Sequence, residues 1–169
     1  MSPNLYWIDG PGPGKLAIPA RPRGGDWLED DISGWQRAGV DAVVSLLTSQ
    51  ENKDLQRSEE SDLAQAHGFR FVSLPVDDRA VPPSWEDASR ASGKIGESLR
   101  QGRNVAIHCR QGIGRSGMIA AALLIRDGST PGDALTQING ARGLPVPETE
   151  EQLAWTRDFR CGKPRPQLL

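Results

Sequence analysis

Three apolar runs, DAVVSLL (41–47), FRFVSLPV (69–76) and NVAIH (104–108), constrain the fold of this chain more than any other feature. The first is continuous rather than alternating, which suits a strand covered on both faces. Segments with helical periodicity separate the runs. A predicted helix over 27–38 has Trp27, Leu28, Ile32 and Trp35 as its apolar stripe and stops at Gly39, where a glycine C′ is expected. Residues 51–67 read as a polar helix with Leu55, Leu63 and Ala64 at helical spacing, ended by Gly68. Ser84 is placed to cap a helix beginning near Trp85. GMIAAALLIRDG (117–128) reads as a helix apolar over so wide a face that it must be buried. Two more helices are expected around 131–138 and 148–159. KLAIPA (15–20) reads as a short edge strand after the irregular PGPG. Helices alternating with apolar strands give an α/β chain with a central, mostly parallel sheet flanked by helices on both faces.

In such sheets ligands bind at the carboxyl ends of the strands. Two chemistry-bearing segments fall at such ends: the Asp77–Asp78 turn after the second run, and HCRQGIGRSG (108–117) after the third. A strand, a glycine loop and a helix start form a ready anion site, because loop N–H groups converge and the helix N-terminus adds positive potential. Gly112 and Gly114 permit the dihedrals that such a wrap needs. Arg115 supplies a planar fork for two phosphate oxygens. The same field favours a thiolate at Cys109, since helix N-termini and nearby cations lower a cysteine pKa from its free value of about 8.5. A thiolate facing a phosphorus held by Arg115 is a nucleophile whose product is a cysteinyl phosphate. Ser116 is placed to donate to the sulfur and help it leave, and His108 to fix loop geometry and thiolate charge. Arg110, Gln111 and Ile113 complete the phosphate-binding loop with Gly112, Gly114 and Arg115.

Composition narrows the rest. A net charge of −2 over 169 residues does not call for a nucleic-acid partner. The N-terminus lacks the basic and apolar regions of a signal peptide, and no apolar run is long enough to span a membrane, so a cytoplasmic location is expected. Two cysteines, Cys109 and Cys161, do not make a disulfide framework. Cys161 reads as incidental, or as a partner for oxidised Cys109. No Lys-Ser/Thr pair follows the loop glycines, so this is not a Walker loop, and one Cys beside one His is no metal site. No metal and no cofactor are expected. His67, at a polar helix end, reads as a surface or capping residue.

The run of His, Cys, five residues, Arg and Ser in HCRQGIGRSG resembles the active-site signature of the cysteine-dependent protein phosphatases, in their compact, bacterial-type dual-specificity and tyrosine phosphatase branch. LPVDDRAVP (74–82) resembles the general-acid loop of that branch, and ARGLPVPETEEQ (141–152) a segment found in its bacterial members. The likeness runs over roughly 14–160, as one catalytic domain within 1–169. It implies a phosphotyrosine-phosphatase-like fold and hydrolysis of phosphotyrosine, with phosphoserine and phosphothreonine, on a phosphorylated protein partner. Cys109 would be nucleophile, Arg115 phosphate clamp and Asp78 general acid. Asp77, on the other side of an extended backbone, competes with Asp78 for the last role.

Other residues keep two readings. Arg110 and Gln111 either touch the substrate flank or form a solvated rim. Arg21 and Arg23 either make a second phosphate contact or, as favoured, brace the loop through carboxylates such as Asp26. Arg79 either lies on the substrate rim or pairs with Asp77. Gln152 either orients the hydrolytic water or, as favoured, sits on a helix surface, and Trp85 is the one aromatic placed to line the cleft. The chain lacks the aromatic-rich insertion that deepens the pocket of tyrosine-specific relatives, and its loop lacks the lysines of phosphoinositide-directed ones. The alternatives are a phosphatase for a phosphoinositide, nucleotide or RNA 5′ end, a phospho-binding module without turnover, and a sulfur-transfer or thiol-redox protein.

Overall fold

The computed structural model describes residues 4–159. Its sheet has five strands in the order β1-β2-β5-β3-β4: β1 (Trp7–Asp9), β2 (Lys15–Ala17), β3 (Ala42–Ser45), β4 (Arg70–Ser73) and β5 (Val105–His108). β2, β5, β3 and β4 run parallel, and β1 returns antiparallel to β2. The middle strands β3 and β5 are buried at every position, as their apolar runs require, in the register Val43↔Ala106 and Ser45↔His108.

Helices cover both faces. α1 (Leu28–Arg37) and α3 (Glu60–Ala66) pack Leu28, Ile32, Trp35 and Ala64 against Val43 and Ala106 on one side. On the other lie α4 (Trp85–Arg100), α5 (Gly114–Arg126), α6 (Pro131–Arg142) and α7 (Glu150–Asp158). α5 is the buried axis of that layer, with Met118 to Ala122 fully inaccessible. Ser84 caps α4 by accepting from the Asp87 amide at 3.1 Å, and Gly39 (φ +90°) follows α1 as its sequence position implies.

Several expectations need correction. KLAIPA contributes β2, but β2 is not at the edge: LYWID, three residues of it a strand, lies outside it and the PGPG joins the two. A three-residue strand is too short for periodicity to reveal. Residues 51–67 form two helices, α2 (Ser49–Asp54) and α3, rather than one. Between them Gln56 takes φ +54° and gives its carbonyl to the Gly25 amide at 2.9 Å. That turn drives Arg57 inward, where its Nη2 meets Glu60 at 2.7 Å. Trp27, assigned to the buried stripe of α1, is 55% exposed beneath the Arg23 guanidinium. α6 extends past the expected end to Arg142, where Gly143 (φ +77°) closes it. Trp85 does not line the cleft; it packs in the core against Trp155 and Phe159 at ring-centroid distances of 5.7 and 4.9 Å. Cys161 lies outside the described residues.

Candidate active site

β5 delivers the loop. Its last residue, His108, is fully buried, and its Nε2 lies 2.6 Å from Glu60 Oε1 while Nδ1 faces the Cys109 carbonyl at 3.5 Å. Trp35 covers the imidazole with ring centroids 5.7 Å apart. A buried chain of charge and hydrogen bonds, Arg57–Glu60–His108, thus supports the backbone at Cys109 from inside α3. Burial pulls Arg57 down to about 10, against the attraction of Glu60. Burial alone would raise the Glu60 carboxyl, but His108 and Arg57 hold it below its ordinary value.

After Cys109 the chain wraps. Gly112 takes φ +71°, and a Cβ there would lie 2.6 Å from the Pro19 carbonyl oxygen, so only glycine lets the loop lie against the 19–21 segment. Gly114 opens α5, and a Cβ on it would lie 2.6 Å from Glu148 Oε2. No side chain caps the start of α5, which leaves its first N–H groups without a side-chain partner, and Gly114 and Arg115 of that turn line the hollow beside the loop. Cys109 Sγ sits 3.3 Å from Ser116 Oγ on the first turn of α5.

Arg115 is 1% exposed, and its orientation is set from α2. Nη1 donates to Glu51 Oε2 and to the Val76 carbonyl, both at 2.8 Å, while Nη2 donates to Glu51 Oε1 at 2.9 Å. Glu51 also closes a capping box with Thr48 at the start of α2, so helix start and arginine share one carboxylate. Burial works against the charge on both partners, yet the hydrogen-bonded pairing raises Arg115 and lowers Glu51. Asp78 Oδ1 lies 3.5 Å from Arg115 Nη2 with its side chain 57% exposed.

Cys109, Arg115, Asp78, Arg79, Arg110, Gln111, Gly114 and Glu148 line one hollow of about 210 Å³. A larger hollow of about 320 Å³, beside Arg21, Asp30, Asp31 and Trp35, contains none of the loop. The chemistry, not the volume, marks the first as the candidate site. Asp77 is exposed and is not part of its wall; its carbonyl accepts from the Ala80 amide at 3.0 Å, in a turn that puts Arg79 at φ +62°. Arg110 and Gln111 are exposed on the rim and Ile113 is half-buried.

Arg21 braces the loop, as favoured, but through a backbone carbonyl: its Nη1 donates to Arg110 O at 3.0 Å. Arg23 is a bidentate partner of Asp31, not of Asp26, at 2.6 Å for the shortest contact. Gln152 is not on a surface. It is fully buried, donates to the Ala80 carbonyl at 3.0 Å and accepts from the Glu148 amide at 3.2 Å, tying the start of α7 to the acid loop. Sequence reasoning missed Glu51, Glu60, Arg57, Arg142 and Glu148. Glu51 carried a signal as the third residue after the capping Thr48, and Arg142 and Glu148 lie in the family-like segment 141–152, which assigned them no role. His67 caps α3, with its ring against Gln36, as read.

Among the described residues no group of three or more His, Cys, Asp or Glu side chains is arranged to hold a metal, and no helix is long and apolar enough to cross a membrane.

The chain is 26% identical to the rat (Rattus norvegicus) cyclin-dependent kinase inhibitor 3 over 79% of its own length, and spans 63% of that relative. The crystal structure of kinase associated phosphatase with its catalytic-site cysteine replaced by serine matches with a TM-score of 0.86 at 21% identity, covering 94% of each chain. Tk-PTP in its active form matches with a TM-score of 0.77 at 28% identity, covering 94% of this chain and 97% of that one. A family model described as "Tc-R-P: Polymorphic toxin system, DSP-PTPase phosphatase" matches residues 20–129, from the Arg21 brace through the whole phosphate loop and α5. That match spans most of the chain, and the protein belongs to this family of DSP-PTPase phosphatases.

Proposed function

We propose that this chain is a metal-independent protein phosphatase, hydrolysing phosphotyrosine and phosphoserine or phosphothreonine monoesters in a reducing cytoplasm. The observation that carries the reading is the meeting of Cys109 Sγ, Ser116 Oγ, the uncapped start of α5 and Arg115 at one anion-sized hollow with Asp78 on its wall. The loop N–H groups and Arg115 take the three non-bridging phosphate oxygens. The Cys109 thiolate attacks phosphorus in line with the ester oxygen. As the P–S bond forms the P–O bond breaks, and the leaving alkoxide or phenoxide takes its proton from the Asp78 carboxyl. In the second step Asp78, now a carboxylate, removes a proton from water. The resulting oxygen nucleophile attacks the phosphocysteine, and sulfur leaves as a thiolate that accepts a hydrogen bond from Ser116.

Asp78 is the acid rather than Asp77 because it alone of the two borders the hollow and Arg115. Arg79, Arg110 and Gln111 meet the polypeptide on either side of the phosphorylated residue. The partner is a phosphorylated protein, a reading that the names of the relatives, a kinase associated phosphatase among them, support. Acid quenching during turnover of a phosphotyrosine peptide tests the chemistry. The peptide containing Cys109 should gain the mass of one phosphoryl group, whereas phosphate release with no phosphorylated Cys109 would contradict it.

A further inference from the structure

Three successive carbonyl groups of the loop, those of Arg110, Gln111 and Gly112, are each held by an arginine from outside the loop. Arg21 Nη1 donates to Arg110 O at 3.0 Å. Arg142 donates from Nε to Gly112 O at 2.7 Å and from Nη2 to Gln111 O at 3.2 Å. Arg142 is itself fixed: it is the last residue of α6, and its guanidinium lies 4.1 Å over the Tyr6 ring. The two arginines come from distant parts of the chain, one before α1 and one at the end of the helix after α5.

In a trans peptide the C=O and the next N–H point in opposite directions. Holding carbonyls 110, 111 and 112 outward therefore turns the amides of Gln111, Gly112 and Ile113 the other way, into the hollow. A flip of any of these peptides would put a carbonyl oxygen where a phosphate oxygen should bind. Glycine at 112 makes one such flip cheap, since its backbone is free on both sides of φ. We infer that Arg142 and Arg21 are positioning residues that lock the loop in its amide-inward, anion-accepting state. This rests on the reading of the loop as a phosphate site. Neither guanidinium reacts; each acts through the carbonyls it holds. Lysine replaces Arg142 only in part, because its ammonium lacks the planar fork that holds two neighbouring carbonyls in fixed geometry.

Tungstate, a tetrahedral oxyanion, is the probe. Its affinity by calorimetry, with kcat and KM for para-nitrophenyl phosphate, is to be compared among wild type, Arg142→Gln, Arg142→Lys and Arg21→Gln, with Ile138→Val in α6 as a control for lost stability alone. Arg142→Gln should weaken tungstate binding by at least about tenfold, the equivalent of ~1.4 kcal/mol. It should raise KM and lower kcat together, with Arg142→Lys and Arg21→Gln intermediate. Ile138→Val should lower the melting temperature and leave tungstate affinity alone. Wild-type affinity in the arginine variants, or an equal loss in Ile138→Val, overturns the lock. Should Arg142→Gln not fold, Arg142→Lys and Arg21→Gln decide by the same readings. Wild type that neither binds tungstate nor turns over the ester overturns the phosphate-site reading itself, a different failure from the first.

Discussion

Arg115 donates two hydrogen bonds to the Glu51 carboxylate, at 2.8 and 2.9 Å, which fixes which N–H groups of the arginine remain for a ligand. Both hydrogens of Nη1 are taken, by Glu51 and the Val76 carbonyl, and one of Nη2 by Glu51. Nε–H and the second Nη2–H are left as a side-on fork. Asp78 is the nearest competitor for that Nη2–H, at 3.5 Å.

Glu51→Gln should therefore reduce kcat/KM by about 10- to 100-fold, since the arginine loses a charge-assisted, bidentate support. The Glu51 carboxyl is held below its ordinary 4.5 by Arg115 and the Thr48 cap, in spite of burial. The deficit of the variant relative to wild type should then be constant from neutral pH down to about 4.5 and shrink only below it. Steady-state kinetics over that range check both statements.

Asp78→Asn should lower kcat by at least about 10²-fold at neutral pH for substrates with poor leaving groups, and by less for para-nitrophenyl phosphate, whose phenoxide needs little protonation. Asp77→Asn should leave both rates nearly unchanged. Equal losses in the two variants would remove Asp78 from the role.

Gly112 and Gly114 differ in what a methyl group would meet. At Gly114 the obstacle is the Glu148 carboxylate at 2.6 Å, the far end of a flexible chain, whereas at Gly112 it is the Pro19 backbone, with φ at +71°. Gly114→Ala should cost activity that Glu148→Ala in the same chain restores in part. Gly112→Ala should not be rescued by any side-chain removal. Melting curves and oxyanion affinity separate the two cases.

The buried Glu60 gives a pH signature to stability. Its folded pKa is depressed, through His108 and Arg57, despite burial. Its contribution is therefore fully present above the unfolded value near 4.5 and is lost as pH falls through the lower folded value. Glu60→Ala should destabilise at neutral pH by about 3–5 kcal/mol, because it strands a buried Arg57. The gap in melting temperature between wild type and variant should narrow below pH ~4.5. An unchanged gap at pH 3 would exclude the linkage.

What was legible in the sequence follows the range over which each signal acts. β3 and β5 were readable because two covered faces demand unbroken apolar runs, and the loop because its chemistry lies within ten consecutive residues. β1 was not, since three residues paired to β2 leave no period. The break at Gln56 was hidden because its cause, a carbonyl needed by Gly25, lies far away in sequence. The same holds at the site. Glu51, Glu60 and Arg142 act on residues 115, 108 and 111–112 from three different helices, and charged residues on polar helices look like solvated ones until the fold turns them inward. Gln152 misled for that reason: a polar residue in the first turn of α7 is exposed unless, as here, it has the Ala80 carbonyl to reach.

The most direct test of the account is hydrolysis of para-nitrophenyl phosphate in the presence of EDTA by wild type and Cys109→Ser. The account predicts turnover by the wild type that EDTA does not diminish and that the serine variant loses, while the variant still binds tungstate. Wild-type activity abolished by EDTA, or preserved in Cys109→Ser, would contradict it.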